Sequence, residues 1–343
     1  MTNKIVSWYK VNKRNLPWRQ SKDPYKIWVS EIILQQTQIK NGLKYYNTFL
    51  KLFPDVKRLA NSSEESVLKS WQGLGYYNRA INMLETAKKI ANDLDGNFPN
   101  NYDELLKLKG IGDYTASAIS SICYNEKKAV VDGNVNRVIS RFFDVTESID
   151  TAKGKKKIKK IAISNLPKDN IGDYNQALMD FGSLQCTKYN PKCSDCPLEN
   201  KCIAKKKNII HLRPVKLKKK VSKIRYFNYL HIKNNCNVII QKRKSDDVWK
   251  KLYEFPLIES KKKLEFEELI NNSFFKNFKV LDFKKKLFLV HKLSHQQLQI
   301  VFWELYVEKI PSDFKKITLK QFKEYPIPKP FEIYLEYINR LIE

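Results

Sequence analysis

The chain has 343 residues, 42% of them hydrophobic, long for one domain and sufficient to bury two cores. Its 64 Lys+Arg against 36 Asp+Glu give a net charge of +28, so the surface attracts polyanions salt-dependently, although lysine-rich solvated faces alone give such a balance in some proteomes. No run approaches 18 apolar residues and the opening MTNKIVSWYKVNKR has no apolar signal core, so neither a membrane span nor a secretory signal is expected, and the chain is read as intracellular.

From Ile5 to about Ile203 the apolar spacing is helical almost throughout, in short segments split by turn signals at Phe53-Pro54, Gly73–Gly75, Gly96–Pro99, Gly110–Gly112, Asp132-Gly133 and Leu166-Pro167. This half is expected to be an all-α domain over 1–204. The basic stretch that follows, over 205–224, contains Pro214, lacks sustained periodicity and reads as a connector. Beyond it RYFNYLHI, CNVIIQKR, KKKLFLVHKL and HQQLQIVFWELYV alternate as strands do, while LEFEELINNSFF and PFEIYLEYINRLIE have helical spacing. A smaller α+β domain over 225–343 is the expectation. The charge runs KGKKKIKK and KLKKK read as solvated faces, with phosphate contact as a secondary possibility.

Four features carry chemistry. Asp23 and Pro24 can start a helix over YKIWVSEIILQQTQ that places Glu31 on one face with Ile27 and Leu34. A carboxyl on an apolar face is desolvated, its pKa rises, and it can hold a proton for general acid catalysis; the plain alternative is a surface glutamate. The turn Gly110-Ile111-Gly112 opens a helix near Tyr114 and can present backbone N–H groups to a phosphate. It can equally be an interhelical turn; a dinucleotide loop is disfavoured by the lack of a preceding strand and a third glycine. In a basic helical domain a helix-hairpin-helix over about 105–119, gripping one nucleic-acid backbone, is the better functional reading.

Asp132, in AVVDGNVNRVISRFF, is expected to cap a helix, accept backbone N–H bonds and have its pKa lowered, as suits a carboxylate beside a cationic transition state. Four of the six cysteines, Cys186, Cys193, Cys196 and Cys202, form a single C-x6-C-x2-C-x5-C run, a metal site rather than a disulfide framework in a reducing compartment. By composition alone four cysteines favour tetrahedral zinc. Cys123 and Cys236 read as buried small hydrophobes.

LPWR (16–19), VSEIILQQTQ (29–38), GLGYYNRA (73–80), LKGIG (108–112), VDGNV (131–135) and the cysteine run together resemble, in order and spacing, the bacterial adenine DNA glycosylases of the MutY type. The resemblance spans essentially the whole chain. It implies an all-α helix-hairpin-helix glycosylase domain with a 4Fe-4S cluster loop over 186–202, followed by a C-terminal α+β Nudix-like domain. It also implies removal of adenine mispaired with 8-oxoguanine or guanine from double-stranded DNA, by a monomer in the bacterial cytoplasm at the nucleoid. By that resemblance Glu31 is the acid that protonates adenine, Asp132 the carboxylate that stabilises the sugar cation, and Asn134 a positioning residue. Gln36 and Tyr76 match the residues that wedge into the duplex, Trp18 and Arg19 match base-pocket residues, Leu34 counts among the DNA- and base-binding residues, and Gly110 and Gly112 match the phosphate-binding turn. Strand-cutting relatives carry a lysine where this chain has Tyr114, which cannot form a Schiff base. The resemblance therefore implies a monofunctional enzyme, in which Tyr114 orients the sugar and Asp132.

In the C-terminal half, FLVHKLSHQQLQI aligns with the family's Phe-Ser-His-type loop for 8-oxoguanine, with Leu293 in place of phenylalanine before Ser294 and His295. DDVWKKLYEFP resembles the Nudix-like segment with two lysines where glycines are usual, and no glutamate-rich hydrolase motif accompanies it, so this domain is expected to bind rather than hydrolyse. Two alternatives stand beside this reading: an endonuclease III-like or thymine-mismatch glycosylase, and a non-catalytic iron–sulfur DNA-binding protein.

Overall fold

The computed structural model describes residues 1–217, 223–244 and 246–340; positions 218–222 of the expected connector, including part of the KLKKK run, and 341–343 of the expected final helix lie outside the described residues. The chain divides into two compact units, Met1–Asn61 with Asn82–Lys219, and Ser62–Ile81 with Lys220–Glu343. This division differs from contiguous boundaries in two places. The segment 62–81 belongs with the second unit, where Glu64 pairs with Lys242 and Lys251, and the Tyr253 hydroxyl bonds Glu65. Residues 205–217 belong with the first, where the Ile149 amide donates to Val215 O at 3.1 Å and Arg213 pairs with Asp144 at 2.7 Å.

In the first unit local signals set the helix starts. Asp23 accepts the Tyr25 amide and Pro24 occupies the first position of the helix Pro24–Leu34. That helix stops four residues short of the expected QQTQ end. Gln35 leaves helical geometry, and Gln36 sits at φ 59, the left-handed region. The hairpin is built from Tyr102–Leu106, the glycine turn and the helix Asp113–Tyr124. The helix Ile171–Leu184 packs against Thr2–Asn12, Asp113–Tyr124 and Gly133–Phe142, so it lies at the centre of the unit. One apolar core there joins Val135, Val138, Ile139 and Phe142 to Tyr174, Leu178 and Phe181, and Cys186, Cys196 and Cys202 pack on its edge.

The second unit holds seven strands: β1 Lys223–Asn234, β2 Asn237–Lys242, β3 Tyr253–Glu254, β4 Leu257–Ser260, β5 Val280–Lys292, β6 Gln296–Val307 and β7 Lys315–Thr318. Their order is β3-β2-β1-β6-β5, with β4 on β1 and β7 on β2. β1 and β6 run parallel and the other pairs antiparallel, giving a mixed sheet. Period-two alternation splits β1 cleanly between two layers. Tyr229 contacts the helix Lys329–Asn339 through Phe331, while Leu230 and Ile232 join Trp303 and Leu305 in the opposite core.

The alternating pattern does not mark β3, β4 and β7, which are only two to four residues long. The helix expected over LEFEELINNSFF is broken into Phe266–Leu269 and a 3-10 turn Ser273–Asn277, because Asn272 caps a new turn by accepting the Phe274 amide. Cys236 is exposed, against expectation, because it lies in the tight turn between β1 and β2. In DDVWKKLYEFP, Lys251 keeps φ 68, a backbone that glycine adopts without cost and that costs another residue about 1 kcal/mol.

Candidate active site

Three elements of the first unit converge on Glu31. The helix Pro24–Leu34 buries it, with 7% of the residue exposed, among Ile27, Trp28 and Ile32, so it is no surface glutamate. The helix Asp113–Tyr124 brings Tyr114, whose hydroxyl donates to Glu31 Oε2 at 2.6 Å and also lies 3.6 Å from Met179 Sδ. The start of Gly133–Phe142 brings Asp132 within electrostatic range. Burial pushes the Glu31 carboxyl up to about 7; the Tyr114 hydrogen bond and Arg19 oppose the rise, while the Asp132 charge adds to it. Such a group exchanges a proton near neutrality.

Asp132 caps its helix as expected. Its Oδ1 accepts the Asn134 and Val135 amides at 2.9 and 2.7 Å, and its Oδ2 accepts Asn134 Nδ2 at 2.7 Å. The expected lowering of its pKa does not occur. Burial outweighs the three hydrogen bonds and the nearby Arg137, and the carboxyl sits above its ordinary value. The hydroxyl of Tyr114 also departs from expectation: it bonds Glu31, with Asp132 acting on it only through its charge.

Arg19 feels the Glu31 charge and is held by Asp180, a fully buried carboxylate that Arg14 grips as well. The two guanidiniums keep the Asp180 carboxyl below its usual value despite its burial. Nothing in the motifs singles out Asp180; its one signal is an acidic residue in an apolar helical stretch, the pattern that Glu31 shows. Arg137 is also missed. It donates to Cys186 O and Asn134 Oδ1, both at 2.8 Å, and to Gly182 O, joining the cysteine loop to the residue that holds Asp132. Gly182 allows that approach, since a Cβ there would stand 2.7 Å from Asn134 Cβ and 2.8 Å from its carbonyl oxygen.

The remaining expected residues fall in different surroundings. Trp18 is buried edge-on against Tyr46, with ring centroids 5.0 Å apart, and Leu34 is half-buried. Gln36 and Tyr76 are exposed, and both hold left-handed backbones, at φ 59 and φ 50. Non-glycine residues rarely occupy that region, and where they do, function often demands it. Within the second unit the Tyr76 hydroxyl bonds the Ser294 hydroxyl. Ser294 and His295 are exposed in the turn between β5 and β6, Leu293 is half-buried there, and His291 lies on β5. At the hairpin Gly110 has φ 78, where a Cβ would also meet Asn82 Cβ at 2.8 Å, whereas Gly112 opens onto empty space.

The four thiols of the cysteine loop lie close enough to feel one another's charge. Burial raises Cys193, Cys202 and Cys196, the last to about 11, and neighbouring thiols add to each rise. Arg141 lies among them, its Nη1 3.5 Å from Cys186 Sγ and its carbonyl oxygen 3.6 Å from Cys202 Sγ. Among the described residues no three His, Cys, Asp or Glu side chains converge tightly enough to hold a single metal ion.

Residues 29–166 match the family model of the HhH-GPD superfamily base excision DNA repair proteins, and residues 228–337 match the NUDIX domain. The chain is 39% identical over 299 residues to an adenine DNA glycosylase of Buchnera aphidicola subsp. Baizongia pistaciae, covering 86% of this chain and 83% of that one. It is 37% identical over 212 residues to the Homo sapiens adenine DNA glycosylase, covering 59% of this chain and 39% of the human one. Among solved structures, a thermostable thymine-DNA glycosylase superposes with a TM-score of 0.56 at 29% identity, covering 60% of this chain and 95% of that one.

Proposed function

Because the chain belongs to the adenine DNA glycosylases, base-excision repair enzymes acting on DNA, we propose that its substrate is adenine opposite 8-oxoguanine or guanine in a duplex, with Glu31 as general acid and Asp132 as the stabilising carboxylate. The first unit contains the helix-hairpin-helix glycosylase domain apart from its segment 62–81, and the second contains a Nudix-like domain with a mixed sheet. The observation that carries the reading is the grouping of Glu31, Tyr114 and Asp132: one carboxyl near 7, a hydroxyl bonded to it, and a second carboxyl held by three donors.

Adenine is a poor leaving group as an anion. It must first leave the base stack, at a cost of a few kcal/mol that a mispair lowers. Proton transfer from Glu31 to the adenine ring lets it depart neutral. The positive charge left on the sugar is then met by Asp132, whose anion the donors from Asn134 and Val135 favour. Water completes the hydrolysis. Tyr114 offers no amine, so the strand stays intact with an abasic site. Trp18 and Arg19 shape the base pocket, Leu34 contributes to DNA and base binding, and Gln36 and Tyr76 wedge where adenine has left. Gly110 and Gly112 hold a phosphate on backbone amides, while Ser294 and His295 read the opposite base.

A 4Fe-4S cluster on Cys186, Cys193, Cys196 and Cys202 belongs to the same reading. Zinc ribbons pair two C-x-x-C knuckles far apart, whereas this single compact C-x6-C-x2-C-x5-C run matches the iron–sulfur loop that the resemblance implies. Such a cluster would cross-link the loop over 186–202 and supply no step of the hydrolysis. The enzyme acts as a monomer in the cytoplasm, at the nucleoid.

The test is a single-turnover incubation with duplexes carrying A opposite 8-oxoguanine, A opposite G and T opposite G, with free base and strand breaks scored separately. Adenine release without strand breaks is expected. Release of thymine but not adenine would overturn the reading in favour of a thymine-mismatch enzyme.

A further inference from the structure

The helix Ala152–Ser164, AKGKKKIKKIAIS, carries six lysines put to different uses. Lys157 pairs with Glu147 at 2.7 Å. Lys159 turns towards the hairpin: its Nζ lies 3.0 Å from both oxygens of Asp113 and donates to Ala129 O at 2.8 Å. Asp113 is the first residue of the hairpin's second helix, and the Tyr102 hydroxyl bonds it at 2.7 Å. A bare carboxylate at that helix start would oppose an incoming phosphate. Lys159 offsets the charge and ties the lysine helix to the glycine turn.

Lys155 and Lys156 precede Lys159 by four and three residues and therefore share its flank, with Lys160 beside it. All three are exposed, and none makes an ion pair among the described residues. The buried side of the helix is elsewhere, at Gly154, Ile158 and Ala162. Besides the lysines this face offers one large exposed apolar side chain, Ile163. Cores of protein interfaces are depleted in lysine and enriched in aromatic residues, so a lysine face of this kind fits a polyanion better than a folded protein.

We propose that the helix Ala152–Ser164 is a second grip on duplex DNA, in which Lys155, Lys156 and Lys160 contact backbone phosphates flanking the mispair, continuing the track that begins at Gly110–Gly112. The proposal rests on the hairpin's reading as a phosphate site. Contacts of this kind carry no sequence information and act through counterion release.

The test measures the dissociation constant for duplex DNA against salt by fluorescence anisotropy. It compares the wild type, the triple variant K155A/K156A/K160A and a charge-matched control, K262A/K276A/K279A. Each phosphate contact contributes about 0.9 to the slope of log affinity against log salt. The triple variant should therefore lose about two to three from the slope, with mispaired and fully paired duplexes weakened by the same factor and the thermal midpoint unchanged. The control should keep the wild-type slope. A wild-type slope in the triple variant overturns the proposal and leaves the face to an acidic protein partner. Equal flattening in the control also overturns it, because bulk charge would then be the cause. Failure of the wild type to release adenine opposite 8-oxoguanine would instead sink the substrate reading, which the salt slope does not probe.

Discussion

Replacing Glu31 by glutamine separates catalysis from stability at one atom. Burial lifts the Glu31 carboxyl from an ordinary 4.5 to about 7. The folded state therefore holds its proton more tightly than the unfolded chain. The stability linked to that proton is fully present below pH 4.5 and is lost as pH rises through 7. At about 1.36 kcal/mol per pH unit, the loss above pH 7 is about 3 kcal/mol. Glutamine has nearly the same shape, never ionises and can still accept the Tyr114 hydroxyl on its amide oxygen. At pH 8 Glu31→Gln should therefore be more stable than the wild type by about 2–3 kcal/mol, a gain that disappears near pH 4.5, while adenine release collapses. Urea denaturation followed by helical circular dichroism at pH 5, 6.5 and 8, beside single-turnover base release at neutral pH, measures both effects. A variant less stable than wild type at pH 8, or a difference that does not vary with pH, refutes the desolvation account. Undiminished release refutes the acid role.

Three further perturbations follow from the same geometry. Tyr114→Phe removes the hydrogen bond that opposes the rise at Glu31, so the alkaline limb of the rate profile should move up by about one pH unit; an unmoved limb would detach Tyr114 from the acid. Asp132→Asn keeps a good helix cap, so melting should change by less than about 1 kcal/mol while base release falls at least about 100-fold; parallel losses of both would make Asp132 structural. Gly182→Ala forces a Cβ to within 2.7 Å of Asn134, costing about 1–3 kcal/mol and displacing the side chain that holds Asp132. Wild-type melting and kinetics in that variant would show that the approach of the two helices is not needed.

Much of this protein is written locally. Asp23-Pro24 and Asp132 mark helix starts because a cap depends only on the next two or three residues. Glu31 can be placed on a buried face because Ile27 and Leu34 lie one turn away. Alternation marks the long strands β1, β2, β5 and β6, but the two-to-four-residue strands β3, β4 and β7 contain too few residues to alternate.

Tertiary structure decided the rest. Tyr114 reaches Glu31 across 83 residues of chain, and Asp180 reaches Arg19 across 161. The pairing of Tyr76 with Ser294 depends on the segment 62–81 belonging with the C-terminal unit. The direction of the Asp132 shift is the clearest case. Its local donors all favour the anion, and the pattern read from the chain accordingly points down; the packed surroundings remove water from the carboxyl and push it up. A sequence specifies which groups donate to a carboxylate from within one helical turn, whereas its desolvation sums over every atom that folding brings near, and only the folded chain fixes that sum.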